Sequence, residues 1–387
     1  MIGEGLSKVN RGDALAVLAL VLITGFFCVK WADRVVWTSD AFYYQSRVLE
    51  IRGESAEQAR QEVFYGPLAA RFRAADAQRA PAYRLYGEGV INYKSRFYRR
   101  RIAVPLTAAL VYPVFGTDSL EFVALLGALL FGPALFILLR QRFSTLASAI
   151  AVGLCLIWPP LRWAFLPLTD SWGLVLEVVA LLAAVLTIDR GRQWLPLWIA
   201  SILVLGFTRD LTVVPVISAV ALAIFLRSPP AIRLAWTGAL AALPPLLLFR
   251  TPFKEQLSFL FNGRVLPEDP SWSFVWDRFP GAVEDLVVDD FNFIGESETP
   301  YLDWHALMPP LAILFVVALL ALLALSPRRG PDSYLLVMRA SLIGGLVSVL
   351  LLPSFSYLRL ELVFLPAIAS GLALAGDLLL GLKRAGS

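Results

Sequence analysis

Apolar residues in this chain gather into long, almost uncharged runs at 14–31, 119–139, 144–166, 171–188, 194–208, 211–226, 234–249, 306–326, 335–352 and 359–380. An α-helix needs about 20 apolar residues to cross the ~30 Å hydrocarbon core of a bilayer, and a helix that is apolar all round has no water-facing side. The pattern therefore predicts an all-α polytopic membrane protein with about ten transmembrane helices. A further run, "IAVPLTAALVYPVFG" (102–116), is short for a crossing and carries Pro105 and Pro113. It is expected to lie on the membrane surface or to re-enter it. A different period appears after the first run, where Ala41, Tyr44, Val48 and Ile51 recur at helical spacing with Gln45, Arg47, Glu50 and Arg52 opposite. That spacing predicts an amphipathic helix lying in the membrane interface, with Asp40 at its N-terminus.

Composition sharpens this picture. Of 387 residues 58% are hydrophobic and 17% charged, with a net charge of +4 and a mean hydropathy of +0.69. The small basic excess reports on topology, because short cytoplasmic loops hold the Lys and Arg; no nucleic-acid motif accompanies it. If 102–116 does not cross, one set of turns holds Lys8, Arg11, Arg140, Arg142, Arg190, Arg192, Arg227, Arg233, Arg328, Arg329, Lys383 and Arg384, against Arg162, Arg209 and Arg359 in the short turns opposite. Twelve against three places both termini in the cytoplasm and leaves two long segments outside, 32–118 and 250–305. The first is basic and rich in Tyr and Arg. The second is acidic, with Glu268, Asp269, Asp277, Glu284, Asp285, Asp289, Asp290, Glu296, Glu298 and Asp303, and is expected to be largely a solvated face. The chain divides accordingly into 1–249, 250–305 and 306–387. No A-x-A-like site follows the first run, so it is read as an uncleaved span. Cys28 and Cys155 both lie in apolar runs, which argues against a disulfide or a cysteine metal site. No internal repeat is visible, which argues against an alternating-access transporter.

Charges at membrane depth cost about 2.5–3.5 kcal/mol each on insertion scales, so their positions carry information. Arg162, Asp170, Glu177, Arg209, Asp210, Arg359 and Glu361 lie in or beside spans, and the topology puts every one at or near an outer helix end. Asp40 and the run Arg99, Arg100, Arg101 share that face. Guanidiniums grip phosphate in a two-pronged fashion, and a carboxylate can take a proton from a hydroxyl nucleophile. Local alternatives stand beside this reading. Asp40 and Asp170 could each cap a helix, and Arg209 and Asp210 could form an ion pair at a turn. Tyr43 and Tyr44 could belong to an interfacial aromatic belt, and Glu177 could be a satisfied core carboxyl. His305, the only histidine, stands at the start of the eighth span and is read as interfacial.

The order of motifs resembles the GT-C superfamily of integral membrane glycosyltransferases, of the protein O-mannosyltransferase and lipid A aminoarabinose transferase type. The matching stretches are "SDAFYY" after the first span, "RRRIAVPLTAAL" before the second, "LTDSWGL", "FTRDLTVVP" and, late in the chain, "LRLELVFLP". The resemblance covers about 1–240 and, more faintly, the last span. It implies a bacterial-type inner-membrane enzyme of GT-C-like fold whose active site faces outward. The donor is then a polyprenyl-phosphate-linked sugar and the acceptor a hydroxyl of a glycan, lipid or protein. It also implies Asp40 as catalytic base with Asp170 near it. Arg99, Arg100, Arg101, Arg209 and Arg359 would hold the donor phosphate, supported by Tyr43, Tyr44, Glu177 and Asp210. A divalent cation, Mg or Mn, would fit the chemistry between Asp40 and Asp170, although no ligand cluster demands one. The first motif holds one acid where some members hold an adjacent pair, and no soluble C-terminal domain is recognisable. The rival readings are an O-antigen ligase or polymerase type enzyme using outer-loop Arg and His305, a transporter, and a non-catalytic binder of lipid-linked glycan.

Overall fold

The computed structural model describes residues 11–32, 39–66, 88–249, 253–263, 265–295, 305–325, 332–351, 353, 358–379 and 381, and every regular element among them is helical. Lys8, Arg328, Arg329, Lys383 and Arg384, used above for topology, lie outside the described residues. The helices are α1 (Arg11–Ala32), α2 (Ser39–Ile51), α3 (Ala56–Arg60), α4 (Glu88–Tyr98), α5 (Ala103–Phe115), α6 (Ser119–Leu139), α7 (Thr145–Leu156) and α8 (Asp170–Arg190). They continue with α9 (Leu195–Thr208), α10 (Val213–Leu226), α11 (Pro229–Phe249), α12 (Phe253–Phe261), α13 (Trp272–Gly295), α14 (Met308–Ala324), α15 (Ser333–Leu351) and α16 (Leu365–Leu379). Among the described residues six helical runs are long and apolar enough to cross a membrane, or seven if a bent pair counts as one; α10 and α14 are shorter apolar helices. The outward sides of these helices carry large apolar residues such as Leu18, Leu22, Phe225, Leu247 and Leu320. A surface of that kind is stable against lipid and would aggregate in water. The chain is an all-α membrane protein.

Two local breaks are written in the sequence. The run 144–166, expected as one span, is split into α7 and a 3-10 segment, Pro159–Phe165, with an 81° bend between them. Trp158 precedes the pair Pro159–Pro160; a proline pushes its predecessor out of the helical region and offers no backbone donor, so α7 stops there. The second break is at Gly116, whose φ of 54° ends α5. Phe115 and Phe122 stack with ring centroids 3.9 Å apart, whereas an unbroken helix would separate positions seven apart by about 10.5 Å. The chain turns at Gly116, and α5 packs on both α2 and α6.

One apolar core runs from Leu20 in α1 to Ala373 in α16, so the last helices share it with the first. Its centre is α8, which packs against α6, α9 and α15. Small residues permit the closest approaches: a Cβ on Gly344 of α15 would collide with the Val214 carbonyl of α10, and one on Gly371 of α16 with the Ala318 carbonyl of α14. A second cluster seats α2 through Ala41, Tyr44 and Val48 beside Val104, Ala108, Leu120 and Val123. Arg47 and Glu50 pair on the other side of α2, as the periodicity predicts. Gln45 departs from it and is fully buried. It follows Ala41 by one helical turn and so falls on the packed stripe.

Polar contacts collect at the two ends of α8. At its C-terminal end, Arg140 and Thr145 bind Asp13 at 2.7 and 2.6 Å, Arg142 pairs with Asp332, and Ser333 bonds Asp189. The other end holds the residues described next.

Candidate functional site

Five separate stretches deliver polar side chains to the N-terminal end of α8, each from a helix terminus. Asp40 lies in the first turn of α2 and Asp170 opens α8. Tyr98 ends α4, and Arg100 and Arg101 follow it. Arg209 caps α9 in extended conformation (φ −160°, ψ 165°), and Asp210 opens the next 3-10 turn. Arg359 sits just before the 3-10 turn that leads into α16. Placing these residues at termini keeps the apolar bodies of the helices in hydrocarbon while their charges meet at one depth.

Arg359 is the hub. Its Nε and Nη2 donate to the two oxygens of Asp170, both at 2.7 Å, and its Nη1 donates to Asp40 Oδ2 at 2.9 Å. Tyr98 donates its hydroxyl to the other oxygen of Asp40 at 2.6 Å. Arg209 also pairs with Asp170. Arg100 and Arg101 both pair with Asp210, the Arg101 contact measuring 2.6 Å. Arg101 reaches back to the Tyr44 hydroxyl at 2.9 Å, which shares a hydrogen bond of 3.2 Å with Thr169. Rings wall the site: Tyr43 stacks flat on Tyr98 with centroids 4.8 Å apart, and Trp163 lies 5.2 Å from the Arg359 guanidinium.

Among the described residues these ion pairs join three carboxylates to four guanidiniums, one positive charge in excess within the pairs, and Lys94 adds its charge beside Asp40. Asp170 is 2% exposed, Arg100 4% and Arg209 7%. Buried ion pairs roughly break even against apolar packing, so such a cluster is weakly explained by stability alone. Burial by itself would raise the pKa of Asp40, but the charges of Arg359 and Lys94 and the hydrogen bond from Tyr98 outweigh it, and the carboxyl is held well below the usual range. Tyr98 moves the opposite way: burial, with the adjacent Asp40 charge, keeps its phenol protonated far above its ordinary pKa.

No family model, curated protein or solved structure matches this chain.

Of the residues singled out in the sequence, Asp40, Tyr44, Arg100, Arg101, Asp170, Arg209, Asp210 and Arg359 meet in this single network. Arg209 and Asp210 bond to other partners rather than forming the local pair considered above: Arg209 goes to Asp170, and Asp210 to Arg100 and Arg101. Asp170 likewise spends its carboxylate on arginines. Tyr43 belongs to the wall. Arg99 is exposed and stands apart, lining a cavity of about 80 Å³ with Tyr43, Arg47, Arg60 and Tyr98. A larger cavity of about 620 Å³, lined by Glu54, Gln58, Gln61, Glu62 and Tyr112, lies beside α3. Glu177 is fully buried two turns into α8, and among the described residues neither of its carboxylate oxygens has a hydrogen-bond partner. His305 opens a 3-10 turn, and its side chain lies outside the described residues.

Sequence reasoning missed Tyr98, Lys94, Trp163 and the part played by Thr169. Only Thr169 carried a signal, as the first residue of "TDS". As for a divalent cation between Asp40 and Asp170, Arg359 occupies that position. A divalent cation between the two carboxylates would have to displace the Arg359 guanidinium that bonds them both.

Proposed function

We propose that this protein is a ten-span membrane glycosyltransferase of GT-C-like fold, with both termini cytoplasmic and the Arg359 network facing outward. It would move a sugar from a polyprenyl-phosphate donor to an acceptor hydroxyl. The observation that supports this reading is Arg359 bridging Asp40 and Asp170 inside a buried cluster with excess positive charge. That arrangement suits a lipid-borne phosphate at interfacial depth better than it suits structural packing.

The donor phosphate would exchange for carboxylates at Arg359, Arg209 and Arg101, since guanidinium forks accept either partner. Exchange at Arg359 has a chemical consequence. A carboxylate locked to a guanidinium is a poor base; once the phosphate neutralises Arg359, Asp40 recovers basicity and an open oxygen. The acceptor hydroxyl then attacks the anomeric carbon from the face opposite the phosphate, with inversion. The new C–O bond forms as the bond to the phosphate oxygen breaks, its electron pair stays on the phosphate, and the hydroxyl proton passes to Asp40. Tyr98, held protonated, keeps Asp40 aimed throughout.

The test is reconstitution into proteoliposomes with candidate polyprenyl-phosphate sugars, comparing wild type with Asp40→Asn and His305→Ala. Loss of the base is expected to slow transfer by about 10²–10⁴, with His305→Ala near wild type. Transfer that survives Asp40→Asn but disappears in His305→Ala sinks the base assignment in favour of a ligase-type enzyme. Substrate flux without transfer would instead mark a transporter, and donor binding with neither a binder.

A further inference from the structure

Arg359 follows a residue in a costly conformation. Leu358 has φ 57°, in the left-handed region, where a side chain crowds the following carbonyl. Such a residue persists where its surroundings hold it, and it marks a place where geometry is imposed. The holding group is on the page: the buried carboxylate of Asp290 accepts a hydrogen bond from the Leu358 amide at 3.1 Å across 68 residues. Asp290 lies near the end of α13, in the acidic segment read from sequence as a solvated face, yet it is 5% exposed. One turn earlier on the same helix, Leu286 is buried in a cluster with Leu211, Val214, Val349 and Val363, and Leu360 packs against that cluster. The two anchors therefore seat α13 on the residues that flank Arg359.

We propose that Asp290 is a positioning residue for Arg359, fixing Leu358 in the left-handed conformation that turns the guanidinium onto Asp40 and Asp170. In this way the second outer segment becomes part of the phosphate grip. The role in catalysis rests on the glycosyltransferase reading; the positioning itself does not. The geometry has a distinctive consequence. If Asp290 acts by offsetting the cost of the left-handed backbone, glycine at 358, which adopts that region freely, removes the need for it.

The experiment measures modification of Arg359 by phenylglyoxal in the full-length protein in detergent, followed by peptide mass spectrometry, with exposed Arg192 as internal standard. Asp290→Ala is expected to speed modification of Arg359 roughly five- to thirty-fold, the factor carried by the cost of a left-handed residue. Asp290→Asn keeps an acceptor oxygen and should stay near wild type, and Asp290→Ala with Leu358→Gly should return to within about twofold of it. Unchanged Arg359 reactivity in Asp290→Ala overturns the inference. So does a rise that Leu358→Gly fails to reverse, because loosening of α13 as a whole would have no reason to respond to that glycine. These readings use no sugar donor, so a failure of glycosyl transfer in the wild type leaves them standing. Where transfer is present, the same series should order the donor KM, with kcat little changed.

Discussion

Removing the guanidinium of Arg359 is the sharpest probe of the network, because its three hydrogen bonds are unequal. Arg359→Met keeps most of the stem, so packing against Trp163 is largely preserved while the charge goes. Asp170 then retains Arg209, and Asp40 retains Tyr98 and the field of Lys94. Breaking a buried pair by deleting one partner costs about 3–5 kcal/mol. Unfolding entropy of roughly 2.1 cal/mol/K per residue over 387 residues makes this a fall of about 4–6 °C in Tm. Double-mutant cycles then separate the partners. Asp170 takes two bonds of 2.7 Å and Asp40 one of 2.9 Å, each worth about 1.5–3 kcal/mol for a charged group. The Arg359–Asp170 coupling should therefore exceed the Arg359–Asp40 coupling by about 1–3 kcal/mol. Thermal unfolding in detergent of the single and paired variants (Asp40→Asn, Asp170→Asn) measures both. Couplings that are equal or reversed, or a shift below about 1 °C for Arg359→Met, would refute the claim that this residue holds the cluster together.

Glu177→Leu should raise Tm by about 1–4 °C, since a buried polar group without a partner costs roughly 1–3 kcal/mol; a lower Tm would show that the carboxyl serves a partner in the membrane. Gly371→Ala should destabilise by 2 kcal/mol or more, on the order of an overpacked interface, and an unchanged Tm would deny the close contact of α14 and α16. The pKa of Asp40 is lowered on folding from its ordinary 3.8, so its contribution is fully present above that value and lost as the pH falls through the acid range. Wild type should exceed Asp40→Asn in Tm at pH 7, and the gap should begin to narrow only as the pH falls below 3.8; a gap that closes above that value would contradict the shift. With both native cysteines replaced by alanine, a cysteine at exposed Glu54 should be labelled by an impermeant maleimide in intact cells and one at Arg192 only after lysis. The reverse result overturns the sidedness.

Much of this was legible because the bilayer makes charge placement costly. A stranded Asp170 or Arg209 in an apolar run needs a reason, and that reason led to the residues the fold brings together. What could not be read was who bonds to whom. Asp40 and Arg359 are 319 residues apart, and no local pattern records that distance. Three consecutive arginines look equivalent in sequence, yet Arg100 and Arg101 converge on Asp210 while Arg99 turns outward. The break after Trp158 was legible in Pro159–Pro160, but hydropathy averages over prolines and saw one span. Asp290 was lost among the ten other acids of its segment, because burial of one carboxylate depends on where α13 docks rather than on its neighbours in sequence.

Helix α8 ties these local results to the membrane. It runs 21 residues from Asp170 to Arg190, about 30 Å at 1.5 Å per residue, which is the thickness of the hydrocarbon core. At its start the cluster of Asp40, Asp170, Arg209 and Arg359 closes; at its end Asp189 bonds Ser333 and Arg190 bonds Gln141. The two polar ends of α8 thus lie about 30 Å apart, a distance equal to the thickness of the hydrocarbon core. Residues assigned to one side by counting basic turns are the residues that touch each other. The two faces also differ in kind. At the C-terminal end Arg140 pairs with Asp13 and Arg142 with Asp332, whereas in the Arg359 network four guanidiniums share three aspartates. In the proposed reading the lipid-linked donor depends on sidedness, while the case for an anion depends on the guanidiniums that outnumber the aspartates they pair with.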